Sequence, residues 1–103
     1  MRMSGLAVIS PLHLPPTDRD AIAALIDAPC PNGRREPLDY HGIAVEAHAF
    51  GAFLNTGLVV EDDKPAALSD GLWAILEAAE AQGCDWVLVD RDEPPSDQLP
   101  RFD

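Results

Sequence analysis

Apolar and polar positions along the chain alternate in two registers, and together they predict six elements. Leu6 to Ser10 reads as a short strand, with β-branched residues at Val8 and Ile9. Pro11, Pro15 and Pro16 interrupt regular structure behind it. Thr17 then stands where a helix N-cap belongs. Asp18 and Asp20 follow in the first turn, where the helix dipole favours carboxylates. Ile22, Leu25 and Ile26 form one stripe at helical spacing, and Pro29 and Pro31 close that helix. Residues 29–41 read as a loop carrying Arg34 and Arg35.

Ile43, Val45 and Ala47 alternate with Ala44, Glu46 and His48, the period of a strand with one buried face. Phe50-Gly51 reads as a turn. Ala52 to Val60 reads as the second arm of a hairpin, with Leu54, Thr56, Leu58 and Val60 on one side. The run Glu61-Asp62-Asp63-Lys64-Pro65 breaks it. A long helix is predicted from Ala66 to Gln82, with Leu68, Leu72, Ile75, Leu76 and Ala79 as its apolar stripe and Gly83 at the C-terminal cap. Trp86 to Val89 is the last strand, and an extended, proline-containing tail begins at about residue 91. This order predicts one α+β domain over residues 1–103. It would hold a four-stranded, mainly antiparallel sheet with two helices on one face, in the β-α-β-β-α-β order of ferredoxin-like folds. That architecture hosts many activities and selects none.

Charge changes the picture. The formal net charge is −11. Residues 1–60 hold six acids and four bases, residues 61–103 twelve acids and three bases. Such a block keeps a protein soluble or offers a negative surface to a basic partner. With 47% hydrophobic residues the chain can still build a core, so it is not a disordered acidic tail. No apolar run approaches the roughly 20 residues of a membrane span. The run Leu6-Ala7-Val8-Ile9 is too short for a signal-peptide core, so a cytoplasmic location and no membrane partner are expected. Cys30 and Cys84 could form one disulfide, but a reduced pair is the favoured reading, with Cys84 a small buried hydrophobe.

Catalytic chemistry finds little support. Val87-Leu88-Val89-Asp90-Arg91-Asp92 resembles the nucleophile motif of haloacid-dehalogenase-like phosphotransferases, where the first carboxylate attacks phosphorus and both help hold magnesium. That family needs a long downstream domain supplying a lysine and further acids, and the motif here lies on the last strand. An acidic strand end followed by a turn is the simpler reading. Glu61, Asp62 and Asp63 lack the alternating acids and central glycine of a calcium loop. His13, His41 and His48 are scattered, and there is neither a nucleophile elbow nor a glycine-rich phosphate loop. The expectation is no enzyme, no cofactor and no metal.

Seven bases among eighteen acids cannot neutralise a phosphate backbone, so direct nucleic-acid binding is not expected. The reverse role fits better, because dense carboxylates can compete with phosphates for a basic protein. Asp70, Trp73, Glu77 and Glu80 recur on one face of the long helix, opposite its apolar stripe. Trp73 is either an interface anchor among acids or a residue at the core margin whose indole N–H reaches water. Asp90, Asp92 and Glu93 complete the candidate contact set.

The phrases Ile9-Ser10-Pro11-Leu12-His13-Leu14, Phe50-Gly51-Ala52-Phe53, the segment from Gly83 to Asp92 and Leu99-Pro100 together resemble an uncharacterised family of small acidic bacterial domains carried by plasmids, phages and other mobile elements. The resemblance brings no activity with it. It implies a context in which small acidic proteins inhibit host defences, CRISPR complexes and restriction enzymes among them, some by DNA mimicry. The expected function is therefore a non-enzymatic inhibitor of a basic nucleic-acid-handling protein, such as a CRISPR effector subunit or a nuclease. An antitoxin or immunity-type module is the alternative, and a small metal-dependent phosphotransfer enzyme using Asp90 and Asp92 is the less favoured one.

Overall fold

A computed structural model describes residue 1 and residues 5–27, 38–61 and 63–102. Cys30, the Arg34-Arg35 pair, Asp62, and the prolines expected to end the first helix lie outside the described residues.

The first strand, β1 (Gly5–Ile9), leaves the sheet through Ser10. The Ser10 hydroxyl accepts the Leu12 N–H at 3.2 Å and caps a single 3-10 turn, Pro11–His13. Helix α1 (Pro16–Asp27) starts one residue before the predicted cap. Pro16 opens it, at a position where a missing N–H leaves no hydrogen bond unmade. Thr17 lies inside the helix and is exposed. Next come β2 (Leu38–Tyr40), β3 (Ile43–His48), β4 (Gly51–Asn55), the one-turn helix α2 (Leu58–Glu61), helix α3 (Asp70–Ala81) and β5 (Cys84–Asp90).

The five strands form one mixed sheet in the order β1-β5-β4-β3-β2, with β1 parallel to β5 and every other pair antiparallel. The α+β class holds, and three details are corrected. The sheet has five strands rather than four, because β2 lies at the end of what reads as loop. It pairs with β3 through a two-residue turn in which His41 and Gly42 both have positive φ, 51° and 99°, as a type I′ turn requires. There are three described helices rather than two. The expected long second hairpin arm stops at Asn55, whose side-chain oxygen accepts the Gly57 N–H at 2.8 Å, and Leu58 to Glu61 turn into α2. The order also departs from the ferredoxin-like arrangement, since the last strand takes the inner position and β1 the edge.

Register explains the core. Ala7 and Ile9, Val87 and Val89, Ala52 and Leu54, and Val45 and Ile43 fall on the same face through successive pairings. Ile22 of α1 and Leu72, Ile75, Leu76 and Ala79 of α3 join them in one buried cluster, so both longer helices cover that face. Leu72 and Leu76 have no exposed surface. Each contributes about 1.5–3 kcal/mol by burial. The opposite face carries Leu6, Val8, Phe53, Trp86 and Leu88, by the same alternation.

Two buried polar groups knit the layers. Asp18 is 1% exposed and accepts the Tyr40 hydroxyl at 2.7 Å and the Ser69 hydroxyl. Ser69 in turn accepts the Leu72 N–H at 3.0 Å as the N-cap of α3. One carboxylate thus joins the first turn of α1, strand β2 and the start of α3. Burial, then the hydrogen bond and negative charge of Asp18, push the Tyr40 phenol from its ordinary 10.0 up to about 12. Tyr40 is the chain's only tyrosine, so absorbance of tyrosinate reports it alone. Alkaline titration should show a midpoint near 12. Because the folded value is raised, the stabilisation is complete below pH 10 and is lost as pH rises toward 12. A midpoint near 10 in folded protein would mean that the phenol is neither buried nor bonded to Asp18.

His13 is fully buried and holds the C-terminal tail. Its Nδ1 lies 2.7 Å from the Pro100 carbonyl oxygen, and the Ser96 N–H donates to Nε2 at 2.9 Å. These partners fix the neutral tautomer with hydrogen on Nδ1. The Phe102 N–H donates to the Leu12 carbonyl at 2.7 Å, and Leu99 packs on the core. The tail turns at residues 91–92 and 97–98 and is docked on the fold through His13 and Leu12.

Candidate functional site

The α3 stripe is the first candidate. Helical spacing places Asp70, Trp73, Glu77 and Glu80 on one side, away from Leu72, Ile75 and Ala79. Asp70, Glu77 and Glu80 are exposed. Asp70 is 96% exposed in its side chain and pairs with Lys64 at 3.4 Å, a surface contact of little energetic weight. Trp73 is half-buried, packs against the core cluster and keeps part of its surface beside the acidic stripe. The stripe runs about 15 Å from Asp70 to Glu80.

Asp90, Asp92 and Glu93 lie at the carboxyl end of β5. The chain reverses at Gly83 between α3 and β5, so the Asp70 end of the helix points toward this same end of the sheet. The Glu80 end points away from it. Asp90 is half-buried. Its Oδ1 accepts the Asp92 N–H at 2.9 Å, and its carbonyl accepts the Glu93 N–H at 3.0 Å. The Asp-Arg-Asp motif is thus a side-chain-capped turn. Among the described residues, no three histidine, cysteine or acidic side chains gather to hold a metal ion.

A second feature was not anticipated from the sequence. A cavity of about 340 Å³ opens at the carboxyl end of the parallel β1–β5 pair, between α1 and the β3–β4 turn. Its walls are apolar, from Leu14, Ile22, Ile26, Phe50 and Val89, and Arg19, Arg91, His48 and Asp27 also line it. Arg19 could have been noticed because Arg19, Ile22, Ala23 and Ile26 share one helix face. Arg91 and His48 come from remote strand ends that only the sheet order brings together.

Among the described residues, no helix is long and apolar enough to cross a membrane. Comparisons with curated proteins and with solved structures gave no match. Residues 6–103 match the family described as "Family of unknown function (DUF5983) C-terminal domain", and the chain belongs to that family.

Proposed function

We propose that this protein is a non-enzymatic binding protein that blocks a basic, nucleic-acid-handling partner by partial DNA mimicry. The observation that carries the reading is the exposed stripe of Asp70, Glu77 and Glu80 beside the half-buried Trp73 on the outer side of α3. Three carboxylates spread over about 15 Å of rigid helix can occupy positions that successive phosphates take in a basic cleft. Trp73 adds apolar contact at the centre of the stripe, where interface energy concentrates. Asp90, Asp92 and Glu93 extend the negative field at one end. The net charge of −11 steers a basic partner toward this surface. The partner class is that of a nuclease or a CRISPR effector subunit, and an anti-CRISPR or anti-restriction role in the bacterial cytoplasm follows from it.

Capture from bacterial lysate, with the wild type and the D70K/E77K/E80K variant as baits, tests this directly. The expected result is a basic nucleic-acid-binding protein that is retained by the wild type, released by salt and lost with the variant. A cognate toxin in its place would move the protein to the antitoxin or immunity class. Identical capture by both baits would remove the α3 stripe from the interface.

A further inference from the structure

The cavity beneath α1 is lined by two arginines. In a chain of eighteen acids and seven bases, Arg19 and Arg91 both line one hollow, and neither makes an ion pair among the described residues. The Arg19 guanidinium donates to the Phe102 carbonyl oxygen at a long 3.4 Å. The Arg91 guanidinium lies 6.0 Å from the centre of the Phe50 ring, a cation–π contact that holds it against the cavity wall. Its backbone N–H donates to the Phe50 carbonyl at 2.9 Å, which ties that wall to the end of β5.

His48 lines the cavity rim at the end of β3, with its ring turned toward Phe53 on the other face of the sheet. Its Nδ1 accepts the Phe50 N–H at 3.1 Å, so in the neutral ring the hydrogen sits on Nε2. The ring is fixed by Phe50 and by an edge-on contact with Phe53, with centroids 5.6 and 5.1 Å away. Asp27 at the cavity margin is the opposing charge, and it disfavours ligands that are anionic along their whole length. The remaining wall is apolar, and the volume of about 340 Å³ is at the small end of ligand sites. The location agrees with the general rule that ligands bind beyond the carboxyl ends of parallel strands.

We infer that this cavity binds a small organic anion, with its oxyanion group held by Arg19 and Arg91 and its apolar body against Leu14, Ile22 and Phe50. The site is separate from the α3 stripe, and its test does not depend on the partner proposed above. Guanidinium groups suit carboxylate and phosphate alike, so both are used as probes.

The experiment is a titration of the full chain with phenyl phosphate, benzoate, inorganic phosphate and benzyl alcohol, followed through backbone amide resonances. The inferred site gives shifts at Ala23, Phe50, Gly51 and Arg91 with phenyl phosphate or benzoate. Whichever of the two binds tighter identifies the natural acid group. Inorganic phosphate should bind at least tenfold more weakly for want of an apolar body, and benzyl alcohol likewise for want of charge. Arg91→Gln, which leaves the Arg19 contact to the tail untouched, should weaken binding about tenfold, and adding Arg19→Gln should weaken it further. Absence of shifts around the cavity, equal binding of benzyl alcohol, or unchanged affinity in the double variant would each overturn the inference.

Discussion

Replacing Gly51 with alanine is expected to lower the melting temperature by roughly 12–24 °C, the largest effect of any single methyl group in this protein. Gly51 opens β4 opposite Asp90 of β5. A Cβ built there would lie 1.7 Å from the Val89 carbonyl oxygen and 2.9 Å from its carbon. Both atoms belong to the backbone of an inner strand, so no side chain can swing aside. The β4–β5 pair must part by more than an ångström, loosening its ladder and the Ala52–Val89 contact behind it. Overpacking against rigid backbone costs about 3 kcal/mol or more. Gly83 is the control. Its φ of 83° strains any other residue, but a Cβ there meets nothing within 4 Å. Gly83→Ala should cost only about 1–2 kcal/mol, the conformational penalty alone. Thermal unfolding followed by circular dichroism compares the two. Equal losses would show that the close strand approach at Gly51 does not exist.

Asp18→Ala should be the most damaging side-chain truncation outside the apolar core. It leaves the Tyr40 hydroxyl without its acceptor and frees the Ser69 hydroxyl that caps α3. Hydrogen bonds to a charged group are worth about 1.5–3 kcal/mol, and a buried orphaned donor adds about 1–3. The expected loss is about 3 kcal/mol in denaturant unfolding, with the slope m unchanged. Asp18→Asn keeps an oxygen for Tyr40 and an amide that can donate to Ser69, so it should cost only about 1 kcal/mol. In both variants the Tyr40 titration should fall part of the way from about 12 toward 10.0, since the carboxylate is gone while burial, the larger cause, remains. If Asp18→Ala unfolds at the wild-type midpoint, the three-way junction contributes nothing.

The strongest periodicities were legible. The stripe of Leu72, Ile75, Leu76 and Ala79 identified α3, and the alternation of Ile43, Val45 and Ala47 identified β3, because each pattern places every apolar side chain on one packed face. Boundaries failed where apolar spacing continued past the true end. Leu68 extends the helical stripe but sits in a turn, its N–H donating to Pro65, and the helix starts only after Ser69. Leu58 and Val60 extend the alternation of β4, yet Asn55-Thr56-Gly57 turns the chain first, with the Thr56 hydroxyl donating to the Cys84 carbonyl at 2.8 Å. The turn residues were visible, and the hydrophobic pattern outweighed them. Strand β2 was missed because three residues give too short an alternation, although Leu38, Asp39 and Tyr40 before His41-Gly42 carry the signature of a tight hairpin. Asp18 in a first helical turn reads as a solvated, dipole-favoured acid, and nothing local reveals that Tyr40 and Ser69 bury it. The exposed acids of α3 follow from its period alone. The cavity does not, because Arg19, His48 and Arg91 meet only once the order of strands is known.

The most direct test of the acidic stripe is the affinity of the captured partner for the wild type and for D70K/E77K/E80K, measured by calorimetric titration at low and at high salt. The three positions are exposed and lie off the core stripe, so the variant should melt within a few degrees of the wild type. Reversing carboxylates that face a basic cleft should weaken binding about a hundredfold, or ~2.8 kcal/mol. The wild-type affinity should itself fall as salt rises, because exposed charges are screened beyond about 8 Å at physiological ionic strength. The predicted result is a wild-type advantage that is large at low salt and shrinks at high salt. Equal binding by the two proteins, with no dependence on salt, would contradict it and leave the charge of −11 a matter of solubility alone.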